Sequence, residues 1–180
     1  MLSDLLRQKL THYFDVLDFN SNGVLERDDF IGVADNLGIL WGLDIDTPKL
    51  DKLKRAFDKQ WVAIKNAVQA QNSITLDQWL DYADSHIVSS KKPDIVLQWT
   101  YNVISFFDTD KDGFISMMEY VDFFVGYHIE VRYSAKSFRH LDLNSDGLIS
   151  KEELAKAITQ FFTSDDPDSP GNWLFGFWSK

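Results

Sequence analysis

The sequence predicts an all-α chain: four helix–loop–helix units in two packed pairs, with a C-terminal aromatic tail folded back on the core. Three observations carry this expectation. A twelve-residue acidic pattern centred on glycine occurs three times in 180 residues. Each copy lies between segments whose apolar residues recur every three to four positions, the period of an amphipathic helix. A fourth segment keeps the same rhythm without the acids. Hydrophobic residues make up 44%, enough to build a core. The units divide the chain into an N-terminal pair over 1–90, a C-terminal pair over 91–163 and a tail over 164–180.

The two strongest copies are DTDKDGFISMME, Asp108 to Glu119, and DLNSDGLISKEE, Asp142 to Glu153. Both fit the EF-hand pattern, with oxygen ligands at loop positions 1, 3, 5, 7, 9 and 12 and Gly at 6. A calcium ion takes six to eight hard oxygens, and a short loop wraps it only by bending sharply. Gly113 and Gly147 supply the bend, since Gly tolerates positive φ. The ligands expected in loop three are Asp108, Asp110, Asp112, the Phe114 carbonyl, Ser116 and Glu119. Those in loop four are Asp142, Asn144, Asp146, the Leu148 carbonyl, Ser150 and Glu153. Ile115 and Ile149 at position 8 are apolar, as a short two-stranded contact between paired loops requires. Ser116 with Glu119, and Ser150 with Glu153, also form capping boxes for the helices that follow.

The third copy, DFNSNGVLERDD from Asp18 to Asp29, falls into the same register. Its ligands are Asp18, Asn20, Asn22, the Val24 carbonyl, Glu26 and Asp29, with Gly23 at the bend and Leu25 at position 8. Asp29 is one methylene shorter than Glu119 or Glu153 and reaches an ion less readily with both oxygens. That favours six-fold coordination and hence Mg²⁺ as a competitor at this loop. The flanks agree. Leu6, Leu10, Tyr13, Phe14 and Leu17 precede loop one, and Phe30, Ala34 and Leu37 follow it. Val96, Trp99, Val103, Phe106 and Phe107 precede loop three, and Tyr120, Phe123, Phe124 and Tyr127 follow it. Phe138 and Leu141 lead into loop four; Leu154, Ile158, Phe161 and Phe162 lead out.

A unit with no acid at a main ligand position completes the first pair. Thr47-Pro48 starts a helix well, and Leu50, Leu53, Phe57, Trp61, Ile64 and Val68 mark one face of it. Thr75 and Gln78 form a capping box. With Ile74 at position 8, Ala67 falls at position 1, Gln69 at 3, Gln71 at 5, Asn72 at 6 and Gln78 at 12. None is a carboxylate, so this unit is expected to pair through Leu25 and Ile74 and to hold no ion. The basic residues Lys52, Lys54, Arg55, Lys59 and Lys65 read as the solvated side of its helix.

Net charge is −10, from 28 acidic and 18 basic residues. Ten carboxylates stand at ligand positions, and they account for the whole excess. Such a charge repels nucleic acid. The chain has no Cys, which excludes disulfides and thiolate metal sites and suits a reducing compartment. No apolar run approaches the length of a membrane span. MLSDLLRQKL lacks the basic head and apolar block of a secretory signal. A cytoplasmic, monomeric protein is expected. No P-loop, nucleophile elbow or zinc motif is present, so no enzyme is expected either.

Units one, three and four competent and unit two silent: this layout resembles the sarcoplasmic calcium-binding protein family, which includes the invertebrate muscle proteins, calexcitin and calerythrin. The resemblance covers essentially the whole chain. It implies two EF-hand pairs packed face to face and Ca²⁺ binding at three sites with Mg²⁺ competition. Coelenterazine-binding proteins and calcium-triggered photoproteins are similar in layout. Three functions fit: a Ca²⁺/Mg²⁺ buffer, a sensor that exposes a target-binding surface, or a calcium-regulated carrier of a coelenterazine-like molecule. A sensor groove is typically rich in Met, and this chain has only Met1, Met117 and Met118, the last two expected in ordinary packing. Trp173, Leu174, Phe175, Phe177 and Trp178 in the tail are expected to plug the space between the halves, which favours the buffer. For the carrier, Trp41, Trp61, Trp79 and Trp99 with Tyr13 or Tyr127 would line a pocket. His12, His86, His128 and His140 share no spacing that groups them.

Overall fold

The computed structural model describes residues 1–89, 98, 101–102 and 104–178. Val96, Trp99 and Val103, expected on the helix before loop three, lie outside these residues, as does the boundary drawn at residue 90.

Unit one joins α1 (Asp4–Leu17) to α2 (Arg27–Leu40) through loop one. Unit two joins α3 (Pro48–Val68) to α4 (Leu76–Tyr82), which continues as a π-helical turn, Ala83–Val88. Unit three leaves its loop through α5 (Met117–Gly126); unit four joins α6 (Ser134–Leu141) to α7 (Lys151–Thr163). The helix starts follow the expected chemistry. Ser3, Thr47, Thr75, Ser116 and Ser150 each accept a backbone N–H with the side chain, which satisfies a donor the first turn leaves unpaired.

Each pair of loops meets in a two-stranded antiparallel ribbon. In the first, β1 (Val24–Leu25) and β2 (Ile74–Thr75) oppose Leu25 to Ile74. In the second, β3 (Ile115–Ser116) and β4 (Leu148–Ile149) oppose Ile115 to Ile149. Both are the contacts expected from apolar residues at position 8, and all four side chains are buried.

The apolar faces read from the sequence are buried at nearly every described position, Val68 and Phe106 being half-buried. The core is built largely from rings. Tyr13 packs on Trp79, Phe161, Phe162 and Phe175 with centroids 5.6, 6.4, 5.0 and 4.9 Å away. Phe175 also meets Phe123 at 5.9 Å, so one tail ring touches both halves. The tail is therefore a plug, anchored by Leu174 and Phe175, which are 0% and 2% exposed. The Tyr120 hydroxyl donates to the Leu174 carbonyl at 2.8 Å and fixes the plug's depth. Phe177 corrects the expectation: it is 45% exposed and stacks on Tyr133 at the surface, because Gly176 turns the chain at φ +81°. Met118 does likewise, standing exposed on the outer side of α5 while Met117 is half-buried.

Charge also ties the halves together. Lys9 is fully buried, and its ammonium donates to the carbonyls of Gln160 (3.1 Å) and Ser164 (2.7 Å) and to Asn172 Oδ1 (3.0 Å). It thus covers the C-terminal end of α7, where carbonyls lack helical partners. Burial pulls its pKa down to about 8, against the upward pull of Asp165.

Replacing Phe175 with Ala should cost about 3–5 kcal/mol, the range for emptying a buried ring position. Phe177→Ala should cost under about 1 kcal/mol, as at other exposed sites. Urea denaturation of the two variants, compared at constant ion concentration, checks the contrast. Equal losses would mean that the tail is not a plug.

Candidate functional site

The three acidic loops share one backbone conformation. Gly23, Gly113 and Gly147 have φ of +85°, +89° and +86°. The residue at position 4 is also left-handed in each loop, with Ser21 at +58°, Lys111 at +63° and Ser145 at +60°. The sequence gives no sign of this second bend, because a non-glycine residue pays a steric penalty there that only the closed loop outweighs.

That bend turns the backbone amides inward onto the acids. The first aspartate takes the N–H of the loop glycine: Gly23 donates to Asp18 Oδ2 at 2.8 Å, Gly113 to Asp108 Oδ2 at 3.2 Å and Gly147 to Asp142 Oδ2 at 2.9 Å. Positions 3 and 5 follow suit. Asn20 Oδ1 accepts from Asn22 N–H, and Asn22 Oδ1 from Val24 N–H, both at 3.0 Å. Asp110 and Asp112 accept in the same way at 3.1 and 2.8 Å, and Asn144 and Asp146 at 2.9 and 3.0 Å.

The twelfth residue closes each loop by accepting from both its ends. Glu119 Oε1 takes the N–H and hydroxyl of Thr109 at 2.7 and 3.0 Å, and its Oε2 those of Ser116, both at 2.9 Å. Glu153 takes the N–H groups of Leu143 and Asn144 and both donors of Ser150. Asp29 manages the same reach with a shorter side chain, accepting from Asn20 N–H at 3.3 Å and Glu26 N–H at 2.7 Å. Electrostatics separate the three. Burial pushes the Glu119 and Glu153 carboxyls up, but hydrogen bonds from both loop ends outweigh it and hold them below the usual range. Burial wins at Asp29, helped by Asp18 and Glu26, and holds it above the usual range.

Two observations bear on whether these oxygens suit a cation. Asp108, Asp110 and Asp112 each bring a carboxylate oxygen to within 4.8 Å of the others. Asp108 Oδ1 is buried and has no hydrogen-bond partner among the described residues. Crowded, hard, anionic oxygens with one left unmet by protein donors fit a divalent cation. Loops one and four offer oxygens at the same positions, with Asn20, Asn22 and Asn144 in place of acids and a first aspartate that accepts a backbone N–H on each oxygen.

Unit two is built differently. Helix α3 runs to Val68, and its cap, Gln69, is the left-handed residue at φ +59°. Counted back from Ile74, loop positions 1 and 2 are therefore still helical, and the bend comes at position 3. Sequence reasoning found the missing carboxylates and a helix reaching Val68, but not the left-handed turn at Gln69.

The imidazoles are dispersed. His12 Nε2 meets the Phe175 carbonyl at 2.7 Å; His86 stacks on Tyr82, His128 on Phe19 and His140 on Trp173. Trp61 and Trp79 are packed in the core, the latter donating to the Leu10 carbonyl at 3.0 Å. Trp41 donates to Asp122 at 2.9 Å. Trp99 lies outside the described residues.

Replacing Ser150 with Ala should cost about 1 kcal/mol through loss of the N-cap. It should also raise the Glu153 pKa toward its ordinary value, since the Ser150 hydroxyl is one of the donors that lower it, while the backbone N–H stays in place. A carboxyl held low in the fold contributes stability above its unfolded pKa and loses it as pH falls through the folded one. The acid limb of the chelator-treated variant's stability curve should therefore flatten below about pH 4.5, the ordinary Glu value. Thermal melts across that range measure it.

Comparison with known proteins places these loops. The family model for the EF hand matches residues 103–125 and 135–158, the third and fourth units. Calerythrin from Saccharopolyspora erythraea is 25% identical over 169 residues, spanning 89% of this chain and 94% of its own. The calcium-loaded apo form of the coelenterazine-binding protein from Renilla muelleri superposes with a TM-score of 0.76 at 22% identity, covering 97% of this chain and 99% of that one. The sarcoplasmic calcium-binding protein from amphioxus superposes with a TM-score of 0.73 at 16% identity, covering 98% and 99%.

Proposed function

We propose that this chain is an EF-hand protein of the sarcoplasmic calcium-binding kind and acts as a cytoplasmic, monomeric Ca²⁺/Mg²⁺ buffer, a reading supported by the EF-hand match and the likeness to calerythrin and the amphioxus protein. On this reading it fills three loops and changes shape little. The ions are held by the oxygens of Asp18, Asn20, Asn22, Val24, Glu26 and Asp29; of Asp108, Asp110, Asp112, Phe114, Ser116 and Glu119; and of Asp142, Asn144, Asp146, Leu148, Ser150 and Glu153. The bound ion neutralises carboxylate charge that otherwise repels itself within each loop. Nothing catalytic is assigned.

The observation that carries the buffer reading is the plug. A sensor must open an apolar surface when calcium binds. Here Leu174 and Phe175 already occupy the space between the halves, packed against rings of both. Opening that space would expose Tyr13, Phe123, Phe161, Phe162 and Phe175 together. The carrier reading draws support from the likeness to a coelenterazine-binding fold. The same ring cluster opposes it, since Tyr13 and Trp79 pack on each other at 5.6 Å.

Calorimetry should resolve three Ca²⁺ sites with dissociation constants in the span of about 10⁻⁸–10⁻⁵ M expected of intracellular EF hands. Fewer than three sites would contradict the reading. Binding of a hydrophobic dye should differ little between the Ca²⁺ and Mg²⁺ forms, and a large calcium-specific rise would favour the sensor. Asp29→Glu should raise the preference of loop one for Ca²⁺ over Mg²⁺, because the longer side chain can engage with both oxygens. Competition titrations of the variant against the parent chain decide it.

A further inference from the structure

Resting on that reading, we propose that loop three is the leading ion site and that its occupancy raises the affinity of loop one along helix α5. Loop three stands apart in three respects. It carries four carboxylates at ligand positions, where loops one and four carry three each. Among the described residues, its Asp108, Asp110 and Asp112 are the only acidic or imidazole side chains whose ligand atoms converge as a group of three. Its first aspartate is also the least satisfied. Asp18 Oδ1 and Asp142 Oδ1 each accept the position-5 N–H at 3.1 Å, whereas Asp108 Oδ1 accepts none among the described residues. The Gly113 N–H lies 3.2 Å from Asp108, the longest of the three equivalent bonds. Carboxylate charge that protein donors leave unmet gains most from a divalent cation.

The route to loop one is a single helix. Glu119 is the third residue of α5, and the far end of α5 is held by unit one. Asn36 Nδ2 donates to the carbonyls of Val125 (3.0 Å) and Gly126 (3.2 Å). Trp41 Nε1 holds Asp122 on the same helix. Gly126 lets Leu37 approach so closely that a Cβ there would meet its side chain at 2.6 Å. Two residues beyond, His128 sits in the left-handed region at φ +56° and stacks on Phe19 with centroids 4.2 Å apart. Phe19 is position 2 of loop one, and its ring also lies against Gly32 of α2. A change in the seating of Glu119 thus reaches loop one through one rigid element and two close contacts. By linkage the coupling is reciprocal; the unmet charge makes loop three the one that fills first.

The test uses the full chain labelled with ¹⁵N-glycine, stripped of ions and titrated with Ca²⁺. Gly23, Gly113 and Gly147 each donate to the first aspartate of their own loop, so each amide reports one site. Gly113 should move over the first equivalent, before Gly23 and Gly147. If Gly23 or Gly147 leads, or all three move in parallel, the proposal falls while the buffer reading stands. If none moves, the buffer reading falls with it. For the coupling, Glu119→Gln should weaken Ca²⁺ binding at loop one, read at Gly23, by about 5-fold or more. Asp110→Asn serves as the milder loop-three variant should Glu119→Gln fail to fold. Asn36→Ala should keep Gly113 leading but remove the effect on Gly23. An unchanged loop-one affinity in both loop-three variants overturns the proposal.

Discussion

At the end of each acidic loop one carboxylate accepts hydrogen bonds from the loop's first residues and from its last, and so staples the two helices of the unit at a fixed angle. Glu119, Glu153 and Asp29 all do this, and each is also the third residue of the helix it begins. Much of the architecture follows from the closure. It places position 8 where the two loops of a pair can meet in a ribbon. It turns the amides inward onto the oxygens. It also fixes the directions in which the exiting helices α2, α5 and α7 leave, and hence which apolar faces meet in the core. The arrangement concentrates negative charge at the same point, so stapling and cation binding draw on the same oxygens.

The halves meet through fewer contacts of greater specificity. Rings fill the centre, but direction comes from polar groups: Lys9 on the end of α7 and Asn36 on the end of α5. Each pairs a buried or half-buried donor with backbone acceptors on another element. A wrong register would strand these donors away from water, which costs more than imperfect ring packing. The geometry that makes the two pairs one body also keeps the space between them closed.

Much of this was legible in the sequence, because local chemistry repeats. The three loops, the position-8 partners Leu25–Ile74 and Ile115–Ile149, the capping boxes and the buried stripes of each helix all follow from spacing alone. What could not be read depends on distant partners. Nothing near Lys9 announces burial, since its acceptors lie more than 150 positions away. Asn36 looks like an ordinary helix-surface residue until Val125 is placed beside it. In unit two the composition showed that an ion has no acid to bind and the apolar stripe carried α3 to Val68, but the left-handed turn at Gln69 is a backbone outcome. Phe177 carries the same apolar signal as Phe175; only the turn at Gly176 sends one inward and the other out.

A chain is made from its N-terminal end, and that gives the Lys9 contact a consequence in time. The helix that carries this lysine is complete while every acceptor for its ammonium has yet to be synthesised. Until α7 and Asn172 arrive, the charge must stay in water, and α1 cannot settle with that face inward. The first unit can close its loop early, yet its final seating waits for Gln160, Ser164 and Asn172. The fold therefore has a built-in order of completion, in which a segment made later releases an earlier helix into its place.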